Sequence, residues 1–314
     1  MKKKLIFLCL IIFTIYILCF PKEAVCAAAS GLLLWYERVL PALLPFAILS
    51  NIFIYSGYLH YLAVPLSKMT GFILPTSDAG AFVLLSGFLF GFPMGSKNCS
   101  ELLKSGNISY AEARVLFVIT NNISPVFISS YIFAQELSMP SLTVISFLVL
   151  YLPPVVLGSI LLRKQGGSLN FHDADYIPEK KPASESRMNF KIIDAGIMNG
   201  FETLTRLGGY IMMFSIIASM VQLLPLPSLL KTGIIGITEI TNGIHALTRL
   251  PLSGSIKYLL AIGFTAFGGI SGIAQTSSMI QGTPLSIGYY IRLKLLLTVL
   301  SLALALSVIL VFGL

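Results

Sequence analysis

The chain has 314 residues, of which 56% are hydrophobic and 11% charged, and its formal net charge is +8. Soluble domains carry about 25% charged residues, so this mix excludes a water-soluble globule and requires apolar surface facing lipid. The Lys and Arg residues sit at the ends of apolar runs with no interleaved aromatic stripe, which excludes a nucleic-acid surface and makes them topology determinants under the positive-inside rule.

At about 20 residues per crossing, the apolar runs allow roughly six to eight spans in one all-α polytopic membrane domain. Residues 1–30 open with Met1-Lys2-Lys3-Lys4 and an apolar run from Leu5 to Phe20. This is a first anchor or a signal segment cut near Val25-Cys26-Ala27; the length of the run favours an anchor, and either way the Lys cluster stays cytoplasmic. The first membrane unit, 31–163, begins with Trp35-Tyr36-Glu37-Arg38, an expected interfacial belt, and a span from Val39 to Tyr58 with Pro41 and Pro45 near its start. An amphipathic connection holding His60 and Lys68 leads to a Gly-rich run from Ala79 to Met94. That run is barely long enough to cross and is followed by the polar stretch Ser96 to Tyr110, so a helix that dips in and turns back is as good a reading as a full span. Gly91, Pro93, Gly95, Ser96, Lys97 and Asn98 are the candidates for the tip of such a hairpin, although Lys97 alone reads better as a headgroup-level loop residue.

The apolar stretch from Arg114 to Phe133 is interrupted by Thr120-Asn121-Asn122-Ile123-Ser124-Pro125, and a clean span follows from Leu142 to Leu162. Two adjacent Asn side chains at mid-bilayer depth need partners, and Pro125 removes a backbone donor. Thr120, Asn121, Asn122 and Ser124 are therefore candidate solute-binding residues, with a Pro-kinked helix as the plainer reading. The only long polar segment, 164–191, reads as a cytoplasmic linker. The second unit, 192–314, has an amphipathic entry with Glu202 and Arg206, a span from Leu207 to Leu224, and Lys231-Thr232-Gly233. It then runs through Gly268-Gly269-Ile270-Ser271-Gly272 to a final span from Tyr289 to Val311. Ser271, Gln275, Thr276 and Ser277 are its hairpin-tip candidates.

The two units share an order of features. Glu37 precedes Ser50 by thirteen residues, as Glu202 precedes Ser215, and Lys68-Met69-Thr70-Gly71 matches Lys231-Thr232-Gly233. Gly91-x-x-x-Gly95 matches Gly268-x-x-x-Gly272. With three full spans before the linker, the second unit starts on the opposite side, so the expected fold is an inverted repeat of membrane helices with re-entrant or broken Gly-rich hairpins. In this alignment the second unit carries an insertion of about thirteen residues around Arg249 to Lys257 and lacks a counterpart of the span from Leu142 to Leu162.

Glu239, with Thr238, Thr241 and Asn242 around it, is the intramembrane acid, a candidate for solute or ion binding because a charge at mid-depth costs a few kcal/mol. The plainer alternative is a Glu that caps a helix start. No Walker-type loop, HExxH or Ser and His pairing points to an enzyme or a cofactor, and four cysteines without CxxC and three scattered His residues offer no metal site.

Pro41-Ala42-Leu43-Leu44-Pro45-Phe46-Ala47-Ile48-Leu49-Ser50, Gly87 to Lys97 and Asn121-Asn122-Ile123-Ser124-Pro125-Val126-Phe127 resemble the YlbJ-type sporulation integral membrane proteins. These contain the nucleoside-recognition Gate domain, which is similar to parts of concentrative nucleoside transporters and ferrous iron transporters. The resemblance implies a multi-pass membrane protein of a spore-forming bacterium, needed for spore formation and moving or sensing a small solute; with the two units as Gate-like repeats, the residues themselves make the solute polar and Glu239 the candidate site for coupling to Na⁺ or a proton. The other class of function in view is a non-transporting scaffold that recruits sporulation partners through the linker; an oligomer is compatible with either.

Overall fold

The computed structural model describes residues 2–165 and 189–312, so most of the expected cytoplasmic linker lies outside the described residues. Among the described residues there are helices and connections and no strand. Helix α1 covers Lys2–Cys19, α2 Pro21–Leu34, α3 Leu40–Ser56, α4 Leu59–Thr70, α5 Asp78–Phe90, α6 Met94–Lys104 and α7 Tyr110–Ile119. A π-helical segment, Phe127–Glu136, continues α7 after a break, and α8 covers Thr143–Gln165. Then come α9 Phe190–Gln222, α10 Ser228–Thr238, α11 Ile240–Thr248, α12 Gly254–Phe267, α13 Gly269–Met279 and α14 Ile287–Phe312. Five runs are long and apolar enough to cross a membrane: Pro21–Ser56, Pro140–Lys164, Phe190–Gln222, Gly254–Met279 and Ile287–Phe312.

The expected interfacial belt is not at a helix end. Residues Trp35–Val39 form a π-helical turn joining α2 to α3 in one run, which also passes through the boundary drawn at residue 30. Pro41 has no N–H and its ring crowds the Glu37 carbonyl, so the turn ahead of it widens and the Leu40 N–H bonds to Trp35 O, five residues back. The Trp35 indole is turned inward and donates to Leu204 O at 2.8 Å.

That run packs antiparallel along α9 on a seam of small residues, which let helix backbones approach where no hydrophobic effect drives them together. A Cβ on Gly31 would sit 2.7 Å from Ser215 Oγ, and one on Gly196 2.7 Å from the Ile52 side chain. Further along, α4 is the amphipathic connection and packs on α5, with Ser67 bonded to the Asp78 carboxylate.

Two short helix pairs are hairpins. In the first, α5 and α6 are joined by Gly91-Phe92-Pro93, with Gly91 at φ 76°, a left-handed value open to glycine. In the second, α10 and α11 turn at Glu239 and close so tightly that a Cβ on Gly243 would overlap the Gly236 backbone. Each hairpin is followed by an interrupted helix: α7 with its continuation breaks at 120–124, and α12 gives way to α13 at Gly268 and Gly269 (φ 85° and 70°).

This corrects the expected correspondence between the halves. Gly91 stands at a hairpin turn and Gly268 at a helix break, so two glycine clusters of similar spacing do different work. The hairpin of the second half turns instead at Glu239, and α14 closes that half where α8 closes the first. The base of the first hairpin lies by the α13–α14 turn, with Lys104 Nζ 3.8 Å from a Cβ built on Gly282. The base of the second lies by the start of α12, where Lys257 Nζ donates to Thr248 O at 2.9 Å. The two bases therefore sit at opposite ends of the α12–α13 run.

Candidate functional site

Each hairpin tip abuts the broken helix of its own half. A Cβ on Gly91 would lie 2.6 Å from Ser124 N and 2.8 Å from Asn122 O; one on Gly269 would lie 3.3 Å from Thr238 O and 3.6 Å from Glu239 Cα. A break frees carbonyls that the helix would have used, and buried carbonyls need partners. In the first half four of them have one. Ile119 O accepts from Asn122 Nδ2 at 2.6 Å, and Asn121 O accepts from Lys294 Nζ at 3.0 Å. Asn122 O accepts from Phe92 N at 2.6 Å, and Ile123 O from the Tyr151 hydroxyl.

Lys294 carries this node into the second half. Its side chain is 2% exposed, it also donates to Asn122 Oδ1 at 3.0 Å, and its Cε is 3.7 Å from the Cβ position of Gly268. The Asn121 amide donates to Thr276 Oγ1 at 2.6 Å and to the Tyr290 hydroxyl at 2.9 Å, tying the end of α7 to α13 and α14. Asn121 Oδ1 and Gln275 Oε1 are buried without a hydrogen-bond partner. Of the remaining residues there, Thr120 bonds back to Leu116 O at 2.7 Å beneath Gly87 and Gly95, and Ser124 Oγ accepts from Phe127 N at 3.3 Å.

A second polar node joins α3, α6 and α9. Lys97, 3% exposed, donates to Asn51 Oδ1; Asn51 Nδ2 donates to Gly196 O at 3.1 Å, and Asn98 Nδ2 to Ser50 Oγ at 3.4 Å. Lys97 is thus no headgroup-level loop residue: Gly95, Ser96, Lys97 and Asn98 lie in the first turns of α6, past the tip at Gly91 and Pro93. In the same way Ser271, Gln275, Thr276 and Ser277 lie within α13 rather than at a turn. Gln275 Nε2 donates to Ser271 Oγ at 3.0 Å.

Glu239 caps α11. Its carboxylate accepts from Thr241 N at 3.1 Å, from Asn242 N at 2.8 Å, from Asn242 Nδ2 at 2.8 Å and from the Thr241 hydroxyl, so a buried acid meets the N–H groups and the positive dipole end of a helix. Thr238 bonds back to Ile234 O at 2.8 Å. From Asn242, whose Nδ2 also lies 3.5 Å from Ser215 Oγ, a cavity of about 480 Å³ extends to the base of the second hairpin. Ser215 lies near its floor and Gln222 near its mouth, seven residues along α9 and so about 10 Å apart. The ionisable residues lining it are Lys231, His245 and Arg249; among the described residues no carboxylate lines it. Lys231 Nζ is anchored on Gln222 O at 2.9 Å, and His245 Nδ1 faces Glu136 Oε2 at 3.2 Å.

The structure separates the residues singled out from the sequence into two places. Asn121 and Asn122 stand at the Lys294 node, and Glu239 and Thr241 at the cap of α11 behind Asn242 on the cavity floor, with Gly268 and Gly269 between the two places. Lys294, Tyr290 and Asn51 were missed. The one signal for Lys294 is its position inside the last apolar span, where a lysine near a helix end ordinarily snorkels to the interface.

No protein-family model matches the chain, and no solved structure matches it. Over 293 residues, 84% of this chain and 72% of the relative, it is 28% identical to the sporulation integral membrane protein YlbJ of Bacillus subtilis (strain 168). With its five membrane-length apolar helices, the chain is a multi-pass integral membrane protein homologous to that sporulation protein.

Proposed function

We propose that this protein is a transport or gating protein of spore formation, that it passes a small anionic solute, and that its two halves are an inverted repeat around the passage. It binds and moves its solute without acting as an enzyme. The observation that carries this reading is the cavity beside the second hairpin: about 480 Å³, lined by Lys231, His245 and Arg249, and ending at Ser215 and Asn242, the residue that Glu239 bonds. A cleft lined by charge of one sign concentrates counter-ions of the other.

Three further observations support it. Glu37 and Glu202, Ser50 and Ser215, and Gly31 and Gly196 are all 165 positions apart. Their contacts are reciprocal, Gly31 against Ser215 and Gly196 against Asn51 and Ile52 beside Ser50, as a two-fold axis between antiparallel α3 and α9 requires. The hairpins enter from opposite ends, the arrangement that lets interrupted helices hold a solute near mid-membrane. If the Lys-rich start is cytoplasmic, the cavity opens on the far side, where the positive-inside rule does not place Lys231 and Arg249, so a solute is the better reason for them. Coupling to a proton or Na⁺ belongs at Glu239, whose carboxylate lies behind the floor residue Asn242 and accepts from its N–H and its side-chain amide.

The test is uptake into proteoliposomes by the wild type and by Lys231→Gln/Arg249→Gln. The reading expects the double variant to show a raised KM for anionic solutes at an unchanged melting temperature. Equal uptake by both proteins would remove the charged lining from the mechanism.

A further inference from the structure

The broken end of α7 is built to hold a cation. Asn121 O is a backbone carbonyl released by the break, and Asn122 Oδ1 is fixed as an acceptor because the same amide spends its Nδ2 on Ile119 O at 2.6 Å. Both oxygens lie 3.0 Å from Lys294 Nζ, and no carboxylate is among the groups bonded to it. An amine that meets only acceptors fits the ammonium, which has donors alone. The negative dipole end of α7 points at it, and so does that of α12, whose terminal Gly268 lies against Lys294 Cε. Beside Asn122 a cavity of about 10 Å³, lined also by Thr265, Leu297 and Ser301, has room for about one water-sized particle.

We propose that the Lys294 ammonium is the resident cation of a monovalent-cation cradle formed by Asn121 O and Asn122 Oδ1, filling the place that a free alkali ion would take. The cradle joins the two helix breaks without an ion from solution, so the first half needs no Na⁺ to hold its shape. This inference does not depend on the transport reading, because its test measures stability and not solute movement.

The experiment compares melting temperatures of the full-length purified wild type, Lys294→Ala and Lys294→Met in choline, sodium and potassium chloride at equal ionic strength. Removing the side chain to Ala opens the cradle, whereas Met leaves a methyl group in it. The wild type is expected to melt at one temperature in all three salts. The Ala variant should be destabilised in choline and regain stability in sodium or potassium; at ten times its Kd a ligand shifts the melting temperature of a chain of this size by roughly 2 °C. The Met variant should be destabilised equally in all three. Recovery of an Ala variant that folds only with an alkali ion counts for the proposal. An Ala variant indifferent to the cation, or unfolded in every salt, overturns it, as does equal rescue of the Met variant or cation dependence in the wild type.

Discussion

At the first hairpin, groups from other elements cover the carbonyls that the helix break exposes: the Phe92 N–H, the Tyr151 hydroxyl and the Lys294 ammonium. At the second, Glu239 caps its own helix and leaves a cavity of about 480 Å³ alongside. The first pairing is closed by long-range hydrogen bonds and is a joint. The second is satisfied mostly within a few residues of chain, with the 3.5 Å approach of Asn242 Nδ2 to Ser215 Oγ and the 3.2 Å bond from the Tyr131 hydroxyl to Thr241 O as its longer ties. Its tip can therefore shift at a smaller cost in buried hydrogen bonds, as a gate requires. Mutations should therefore separate the two halves, with stability lost in the first and passage lost in the second.

The severest break is steric and should strike both halves alike. Gly243→Leu drives a side chain into the Gly236 backbone, and Gly95→Leu drives one into Thr120 O, which lies 2.6 Å from the Cβ position. Overpacking costs about 1–3 kcal/mol and more where backbone must move, so neither variant should give monodisperse protein by size-exclusion chromatography. Asn121→Ala comes next and tests the joint. It strips partners from Thr276 and Tyr290 at a cost of about 1–3 kcal/mol, and the melting temperature should fall by roughly 2–5 °C.

Glu239→Gln sharpens the contrast. Four donors converge on the carboxylate, and an amide can accept from only part of them, so stability should drop by about 1 kcal/mol, as for a lost cap. Uptake should be abolished while membrane insertion is intact; normal uptake and normal spores from this variant would leave Glu239 as a cap and nothing more. Replacing 166–188 with a Gly/Ser segment of equal length should have the smallest effect. A transporter tolerates it in uptake and in sporulation, whereas a scaffold that recruits partners through the linker does not.

The apolar runs made most spans legible because their length and composition are set by the bilayer rather than by packing partners. The first break was legible as well, since Asn121-Asn122-Ile123-Ser124-Pro125 combines a missing donor with side chains that need partners. The second hairpin was not, because no local pattern marks Gly236 and Gly243 as the place where two helices touch. Lys97 was read as a headgroup-level loop residue, and Lys294 was passed over. What buries them is Asn51 in one case and Asn121 with Asn122 in the other, more than forty residues away in both, and no local pattern reports such a contact. The partner of Trp35 was out of reach for the same reason: aromatic, acid and base together mark an interface, and no local pattern reports that the indole donates to Leu204 O on α9.

The most direct test is the initial rate at which proteoliposomes holding the wild-type protein take up anionic, neutral and cationic solutes of matched size. A cavity lined by Lys231, His245 and Arg249 predicts entry of the anions above the rate of protein-free vesicles, with the neutral and cationic solutes at that background. Preferential entry of a cation or a neutral solute, or no entry of any anion in the panel, would contradict the account.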